Sequence, residues 1–193
     1  YLKGALPNDD PKNLLGVVGN GEDLGSTPDP VILGWMLEKK VPIVMITTDK
    51  TELDMKGGQI SLVRDNKGVH VTIVEKAQAQ AADQLALFEE LGLRKGDNKS
   101  FFNTNVAVLN YDVLAPLIRE LVKEVGKEEF LKIITPDLIQ NVKEQKDKDG
   151  VVRKYIQLEG AMASSLLNLD KFWRQRYNQP IVHFVNVGRG NRT

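Results

Sequence analysis

The sequence predicts an α/β protein whose mixed, mainly parallel sheet is flanked by helices. An apolar strand over residues 14–18 is followed by a glycine-rich turn and then by a helix over residues 30–38. Residues 41–48 form a continuous β-branched run, which is typical of a central strand buried on both faces. A strand, a helix and a second strand within about 35 residues imply a right-handed parallel crossover.

The first helix carries its own start and stop signals. Asp29 is a predicted N-cap, and Pro30 suits the first turn. Lys39 and Lys40 suit the C-terminus, where cations interact favourably with the helix dipole.

Beyond residue 50 the pattern alternates between strands and helices. In order it predicts a hairpin of strands 59–64 and 69–75, a helix over 77–91, a strand over 100–109, an amphipathic helix over 111–124, a short helix over 128–134, a charged loop over 141–150, a strand over 151–158, a helix over 159–167 and a last strand over 181–187.

The composition excludes several classes of function. Lysine plus arginine and aspartate plus glutamate number 26 each, so net charge gives no argument for a nucleic-acid or membrane partner. The absence of cysteine excludes disulfides and thiolate sites and is typical of a cytoplasmic protein. No apolar run approaches the roughly 20 residues that span a bilayer. We expect one domain over residues 1–193 that is a piece of a longer polypeptide, and the oligomeric state stays open.

Acidic residues occupy the turn between the first strand and the first helix. Asn20, Glu22 and Asp23 lie where a strand end meets a helix N-terminus, which is where open α/β sheets present ligand sites. Two carboxylates there can hold a divalent metal beside a phosphate. The alternative is an ordinary strand–helix connection with solvated acids.

Two further stretches place polar groups at predicted strand ends. Lys56, Gly57 and Gly58 either bring backbone N–H groups and a lysine close to a phosphate or form a plain hairpin turn. Glu75 ends an apolar strand, where its carboxylate either accepts from sugar hydroxyls or is merely solvated.

Asparagines stand inside the predicted strand 100–109, although asparagine is depleted in strands. The side-chain amides of Asn103 and Asn105 either point at a polar ligand or form a bulge with local Asx bonding.

The remaining polar candidates carry weaker signals. Gln157 and Glu159 lie where a strand meets a predicted helix, and an acid is favourable there on electrostatic grounds alone. We interpret His70 and His183 as ordinary strand residues rather than a metal pair.

Five short runs, in order and at plausible spacing, resemble the eukaryotic-type UTP–glucose-1-phosphate uridylyltransferases of the wider UDP-sugar pyrophosphorylase family. The runs are NGEDLGSTPD at 20–29, TELDMKGG at 51–58, VEKAQ at 74–78, FNTN at 102–105 and IQLE at 156–159. Residues 184–193 resemble the stretch that leads into the family's late Pro-x-Lys motif.

The resemblance implies a Rossmann-like nucleotidyltransferase core that joins UTP and a sugar 1-phosphate, by default glucose 1-phosphate, into a UDP-sugar and pyrophosphate with Mg²⁺. It implies catalytic roles for Glu22, Asp23 and Lys56, with Glu22 and Asp23 holding the metal. It also implies that substrate is bound by Asn20, Gly57, Gly58, Glu75, Asn103, Asn105, Gln157 and Glu159.

The sequence departs from the family pattern at its metal-binding turn. The family turn reads Asn-x-Asp-Asn, whereas here Glu22 and Asp23 make the acid one methylene longer or shift it by one residue. The family's glycine-rich nucleotide loop and its Pro-x-Lys motif fall outside these 193 residues. We therefore expect the chain to supply the sugar side of a site and to be poorly active alone. The alternative is a non-catalytic sugar-nucleotide binding or regulatory domain of the same fold.

Overall fold

The computed structural model describes residues 14–20, 29–51, 54, 58–65, 68–92, 100–136, 138–160 and 162–188. In chain order the elements of this part are β1 (Leu15–Val18), α1 (Pro30–Lys39), β2 (Ile43–Asp49), β3 (Gln59–Asp65), β4 (Gly68–Val74), α2 (Lys76–Ala81), α3 (Leu85–Gly92), β5 (Phe101–Asn110), α4 (Tyr111–Val125), α5 (Lys127–Ile133), β6 (Leu138–Lys146), β7 (Val152–Gly160), α6 (Met162–Tyr177) and β8 (Val182–Asn186).

Six of the described strands form one mixed sheet in the order β4-β3-β5-β2-β8, with β1 pairing along the edge of β5 opposite β2. Strands β2 and β8 pair in parallel, whereas β5 runs antiparallel to β1, β2 and β3. The predicted mixed α/β sheet is confirmed. Its pairings within the described residues are mainly antiparallel rather than mainly parallel, because β5 is inserted between the parallel strands β1 and β2. A β-branched run reports burial on both faces and does not report strand direction.

Strand β2 lies at the centre of the packing, as its composition predicts. Ile43 and Met45 face a core formed with α4, α6 and β8, whereas Val44 and Ile46 face a second core formed with α1 and β5. All four side chains are at most 6% exposed. Because successive strand residues point to opposite faces, one apolar run supports both layers of helices.

Helix α1 begins and ends as its sequence predicts. The Asp29 carboxylate accepts a hydrogen bond from the Val31 amide at 2.8 Å, and Pro30 is the first helical residue. Lys39 occupies the last turn, and Lys40 ends the helix with a left-handed φ of 53°.

Two predicted helices have different bounds in the structure. The predicted helix 77–91 is two helices, α2 and α3, because Asp83 adopts a φ of 55° between them. The predicted helix 159–167 begins later and runs longer as α6, so Glu159 belongs to strand β7 rather than to a helix N-terminus.

The predicted charged loop over residues 141–150 is wrong, because most of it belongs to strand β6. Strands β6 and β7 form a separate two-stranded antiparallel sheet, which we call the ribbon. Alternate residues share a face, and one face of the ribbon carries five exposed apolar side chains beside Gln140, Glu144, Lys146 and Lys154. The five apolar side chains are 57–67% exposed: Leu138, Val142, Val152, Ile156 and Leu158. Most side chains of β6 are exposed, and many of them are charged. The strand therefore lacks the regular apolar alternation that would predict a half-buried strand.

Within the part of the chain that the structure describes, no helix is both long enough and apolar enough to cross a membrane.

Candidate functional site

Five of the residues predicted from the sequence lie at one edge of the six-stranded sheet: Asn20, Gly58, Glu75, Asn103 and Asn105. Strands β1, β2 and β8 run in one direction and end at this edge, and β5 begins there because it runs the opposite way. The ends of β4 and the start of β3 lie at the same edge, since Gln59 pairs with both Val74 and Phe102. The sheet therefore brings together segments that are far apart in sequence.

A bulge in β5 positions the two predicted asparagines. The register between β2 and β5 shifts after the Ile46–Val106 pair, because Thr47 pairs with Asn103 and leaves Thr104 and Asn105 outside the ladder. The Thr104 hydroxyl donates to the Ile46 carbonyl at 2.7 Å and fixes the bulge to β2.

Asn105 adopts a left-handed φ of 59°, a conformation that asparagine tolerates better than most residues. Its backbone N–H donates to the Asn103 side-chain oxygen at 3.2 Å, and its own amide group donates to the Asn20 side-chain oxygen at 2.8 Å. The predicted bulge with local Asx bonding is therefore confirmed, and the interpretation that the two amides also bind a ligand stays a prediction. The bulge also holds Asn103, Asn105 and Asn20 side by side.

Gly58 allows the Glu75 carboxylate to approach the backbone of the site. A Cβ atom added to Gly58 would lie 2.5 Å from the Glu75 Oε1 atom and 2.6 Å from a methyl group of Ile73. The Gly58 carbonyl in turn accepts from the Asn103 backbone N–H at 3.0 Å. The missing side chain thus leaves space that Glu75 occupies, directly beside the β5 bulge.

The Glu75 carboxylate is partly desolvated and held by its own helix. Glu75 is the N-cap of α2, and its backbone N–H donates to the Gln78 side chain at 3.0 Å in a capping box. Burial raises the pKa of Glu75, while the positive charge of Lys50 lowers it. A carboxylate in such surroundings is poised to accept hydrogen bonds from a polar ligand.

Sequence reasoning did not single out Lys50, which follows the last residue of β2. Its ammonium group donates to the Gln59 side chain at 3.0 Å and lies 4.7 Å from the centre of the Phe88 ring. Burial lowers the pKa of Lys50, whereas the nearby Asp54 and Glu75 carboxylates raise it. Its position after a buried β-branched strand is the signal that could have identified it.

The parallel strands β2 and β8 lie at the opposite end of this edge from β3 and β4. The Asn186 amide group donates to Asp49 at 3.1 Å, and the Thr47 hydroxyl donates to the Val185 carbonyl at 3.3 Å. The Val187 backbone N–H donates to the Thr47 carbonyl at 2.8 Å. These bonds extend the polar edge of the sheet as far as the end of β8.

Several predicted residues lie elsewhere or outside the described part of the chain. Glu22, Asp23, Lys56 and Gly57 lie outside the described residues. Gln157 and Glu159 lie on β7 of the ribbon, in a sheet separate from the one that carries the asparagines, and Gln157 is exposed.

The two histidines lie at opposite edges of the six-stranded sheet. His70 is on β4, whereas His183 is on β8 and packs edge-on against Trp35 with ring centres 6.2 Å apart. The topology therefore separates them by three intervening strands.

Among the described residues no group of three or more histidine, aspartate or glutamate side chains is arranged to hold a metal ion. The predicted metal ligands Glu22 and Asp23 lie outside that part, so their role toward Mg²⁺ stays a prediction.

A cavity of about 360 Å³ lies beside the candidate site, between β4, α2 and α6. Its lining includes His70, Thr72, Gln84 and Asn168, but none of the residues predicted to bind substrate. We therefore place the candidate site at the sheet edge rather than in this cavity.

Comparison with known proteins matches residues 15–188 to the sequence model of a family described as UTP–glucose-1-phosphate uridylyltransferase. A curated relative with this name from Saccharomyces cerevisiae is 29% identical over 153 residues, which cover 79% of this chain and 26% of the yeast protein.

Solved structures agree with the fold. A UDP-glucose pyrophosphorylase variant from Leishmania major in complex with UDP-Glc superposes with a TM-score of 0.57 at 24% identity, over 91% of this chain and 33% of that one. A UDP-glucose phosphorylase from Trypanosoma brucei gives a TM-score of 0.56 at 22% identity, over 90% of this chain and 31% of that one. The chain thus spans about a quarter to a third of the length of these relatives. Because the family model matches nearly all of its sequence, the chain belongs to the UTP–glucose-1-phosphate uridylyltransferase family.

Proposed function

We propose that this chain supplies the sugar side of a uridylyltransferase site, in an enzyme that makes a UDP-sugar and pyrophosphate from UTP and a sugar 1-phosphate. Glucose 1-phosphate is the first candidate substrate. The observation that carries the proposal is the meeting of Asn20, Gly58, Glu75, Asn103 and Asn105 at one sheet edge. Membership of the family supports the reaction class.

The geometry suits a ligand rich in hydroxyl groups. A sugar hydroxyl can donate to the Glu75 carboxylate and can accept from the amide of an asparagine. Each polar group left unmatched in a buried site costs about 1–3 kcal/mol, so a fixed set of acceptors and amides selects for one arrangement of hydroxyls. The bulge fixes Asn103 and Asn105 before any ligand arrives, which lowers the entropy cost of binding.

The chemistry requires no covalent enzyme intermediate. A phosphate oxygen of the sugar 1-phosphate attacks the α-phosphorus of UTP in line, a new P–O bond forms, and the bond to the departing pyrophosphate breaks. The residues described here contribute by holding the sugar so that its phosphate faces the nucleotide. A divalent cation, when bound, would neutralise negative charge on the phosphates.

Several assignments stay predictions. These are the single domain over 1–193, the catalytic role of Lys56, the binding roles of Gly57, Gln157 and Glu159, the choice of Mg²⁺ with Glu22 and Asp23 as ligands, and a cytoplasmic location. We propose small-molecule substrates rather than nucleic acid or membrane as partners, because the acidic and basic residues balance at 26 each.

Calorimetric titration of the chain with UDP-glucose, glucose 1-phosphate and UTP, each with and without Mg²⁺, tests the proposal. We expect the sugar-bearing ligands to bind and turnover to be slow compared with a full-length enzyme. A folded chain that binds UTP but neither sugar-bearing ligand would contradict the sugar-side assignment. Sugar-nucleotide binding by a full-length protein that has no transferase activity would favour the non-catalytic alternative.

A further inference from the structure

We propose that the cavity between β4, α2 and α6 is a second small-molecule site, which binds a small hydroxylated anion and acts on the sugar-binding edge through α2. Its action on sugar binding rests on the proposed function, whereas its binding of an anion does not. The cavity has a volume of about 360 Å³, which lies within the range of small-molecule sites. Its lining includes none of the residues predicted to bind substrate.

One wall of the cavity is the open edge of the six-stranded sheet. Strand β4 is the outermost strand of that sheet in the described part of the chain, and its residues 70–74 line the cavity. It pairs with β3 along its whole length on the other side. A strand with one neighbour leaves the backbone N–H and C=O groups of alternate residues unpaired. The cavity therefore meets backbone groups that can still bind a polar ligand.

The opposite wall is one face of α6. Four of its residues line the cavity, at the spacing of three and four that places side chains on one helical face: Leu167, Asn168, Asp170 and Lys171. Asp170 is 3% exposed, and both of its carboxylate oxygens are occupied. One accepts from two backbone N–H groups beside the start of β8, and the other accepts from Arg174 at 2.5 Å. The negative charge on this wall is therefore already balanced.

The charge that remains unbalanced in the cavity is positive. Lys171 is exposed, and within the described residues its ammonium group makes no ion pair or hydrogen bond. The side chains of Thr72 and Gln84 also line the cavity and make no hydrogen bond in that part of the chain. An ammonium group binds the oxygens of a phosphate or a carboxylate, and a hydroxyl or amide group can both donate to and accept from ligand hydroxyls. This set of groups suits a small anion that carries hydroxyl groups.

Helix α2 is shared between the cavity and the candidate site. Gln78 and Ala79 line the cavity, and both are hydrogen-bonded to Glu75. The Gln78 side chain accepts from the Glu75 backbone N–H at 3.0 Å, and the Ala79 backbone N–H donates to the Glu75 carbonyl at 3.1 Å. A ligand packed against this helix restrains the residues that hold Glu75. Because Glu75 is then ordered before the sugar arrives, sugar binding costs less entropy.

The binding test titrates the chain with glycerol 3-phosphate and with glycerate, which offer hydroxyl groups beside a phosphate or a carboxylate. NMR locates the bound probe, and we expect the backbone amide signals of β4, α2 and residues 167–171 to move. Lys171→Met should weaken binding about tenfold. Lys123→Met is the matched control, because Lys123 is also exposed on a helix but does not line the cavity.

Binding of one probe alone supports the site and identifies the anionic group that it takes. If neither probe moves these signals, or if the two lysine substitutions weaken binding equally, the cavity is not a site for a small anion.

The second arm measures the affinity for UDP-glucose by calorimetry, with and without a saturating concentration of the bound probe. We expect the probe to raise this affinity about fivefold and to slow hydrogen exchange of the α2 amides in the wild-type chain but not in Lys171→Met. By linkage, UDP-glucose should raise the affinity for the probe by the same factor. An unchanged affinity for UDP-glucose with the cavity occupied would overturn the action on sugar binding.

The two arms separate this inference from the proposed function. A folded wild-type chain that binds neither UDP-glucose nor glucose 1-phosphate would contradict the proposed function, and the action of the cavity on sugar binding with it. The NMR titration would still decide whether the cavity binds a small anion.

Discussion

Candidate polar residues lie on two separate sheets of this molecule, and the two regions are built differently. At the sheet edge Asn103 is 6% exposed, and its side chain and that of Asn105 are held by hydrogen bonds. On the ribbon Gln157 is exposed, in a sheet of two strands. A fixed amide binds a ligand without further loss of freedom, whereas an exposed amide must be ordered when the ligand arrives. Similar sequence signals can therefore have different energetic value.

The largest expected effect tests the difference in packing with one substitution made in each region. Ile43 is fully buried in β2, whereas Ile156 is 61% exposed on the ribbon. We expect Ile43→Ala to lower the free energy of unfolding by about 2–5 kcal/mol, because it leaves a cavity between the sheet and its helices. Ile156→Ala should change it by no more than about 0.5 kcal/mol. Urea unfolding of both variants measures the difference, and similar costs would show that the apolar side chains of the ribbon are packed in solution.

A pair of glycine substitutions sharpens the comparison at the backbone. In Gly58→Ala the new Cβ atom would collide with Glu75 and Ile73, so we expect a loss of about 1–3 kcal/mol in stability and weaker binding of UDP-glucose. In Gly160→Ala on the ribbon, the new Cβ atom would lie 3.2 Å from its nearest neighbour, a ring atom of Pro136. This contact is tight but near the surface, and a cost below about 1 kcal/mol is expected. Gly58→Ala with unchanged stability and affinity would contradict the close approach of Glu75.

The next comparison concerns binding rather than stability. Asn105→Gly removes the side-chain amide but tolerates the left-handed φ of 59°, so the fold should persist. We expect the affinity for UDP-glucose to fall about tenfold, or about 1.4 kcal/mol. Gln157→Ala on the ribbon should lower it less than about threefold, because the exposed amide gains less on binding. Equal losses measured by calorimetry would show that the ribbon contributes as strongly as the bulge.

The comparison also explains which parts of the fold could be predicted. Strand β2 and helix α1 carry signals that depend on neighbouring residues alone: a continuous apolar run, the Asp29 cap and the first-turn Pro30. Strand β6 carries no such signal, because most of its side chains are exposed. Its pairing with β7 also joins residues that lie 14 or more positions apart at most of the paired positions. Local pattern therefore predicted the buried strand and missed the exposed one.

The candidate site shows the same limit. The asparagines of β5 stand out in the sequence because they interrupt an apolar strand, and Glu75 stands out because it is an acid at the end of one. The contact of Asn105 with Asn20 joins residues 85 positions apart, and no local pattern can show it. The position of Lys50 after a buried strand is a local signal, but its contacts with Gln59 and Phe88 join separate segments and could not be predicted from it.

The smallest expected effect is a difference between the two regions in how the free energy of unfolding depends on pH. Burial lowers the pKa of His183 on β8 from its ordinary value of 6.5; Asp170 opposes this shift and Arg174 adds to it. The unfolded chain therefore binds a proton at a higher pH than the folded chain does. This part of the stability is complete above about pH 6.5 and is lost as pH falls from there to the lowered pKa.

His183→Gln should flatten this part of the profile of unfolding free energy against pH. Glu144→Gln on the ribbon is the control, because Glu144 and Lys154 form an ion pair at 3.2 Å in which the two side chains are 58% and 72% exposed.

The raised pKa of Glu75 bends the profile in the opposite sense, since the folded chain then holds a proton that the unfolded chain releases. Subtracting the variant profile from the wild-type profile removes the Glu75 contribution and leaves that of His183. A difference that does not grow as pH rises toward 6.5 would show that the imidazole is not desolvated in the folded chain.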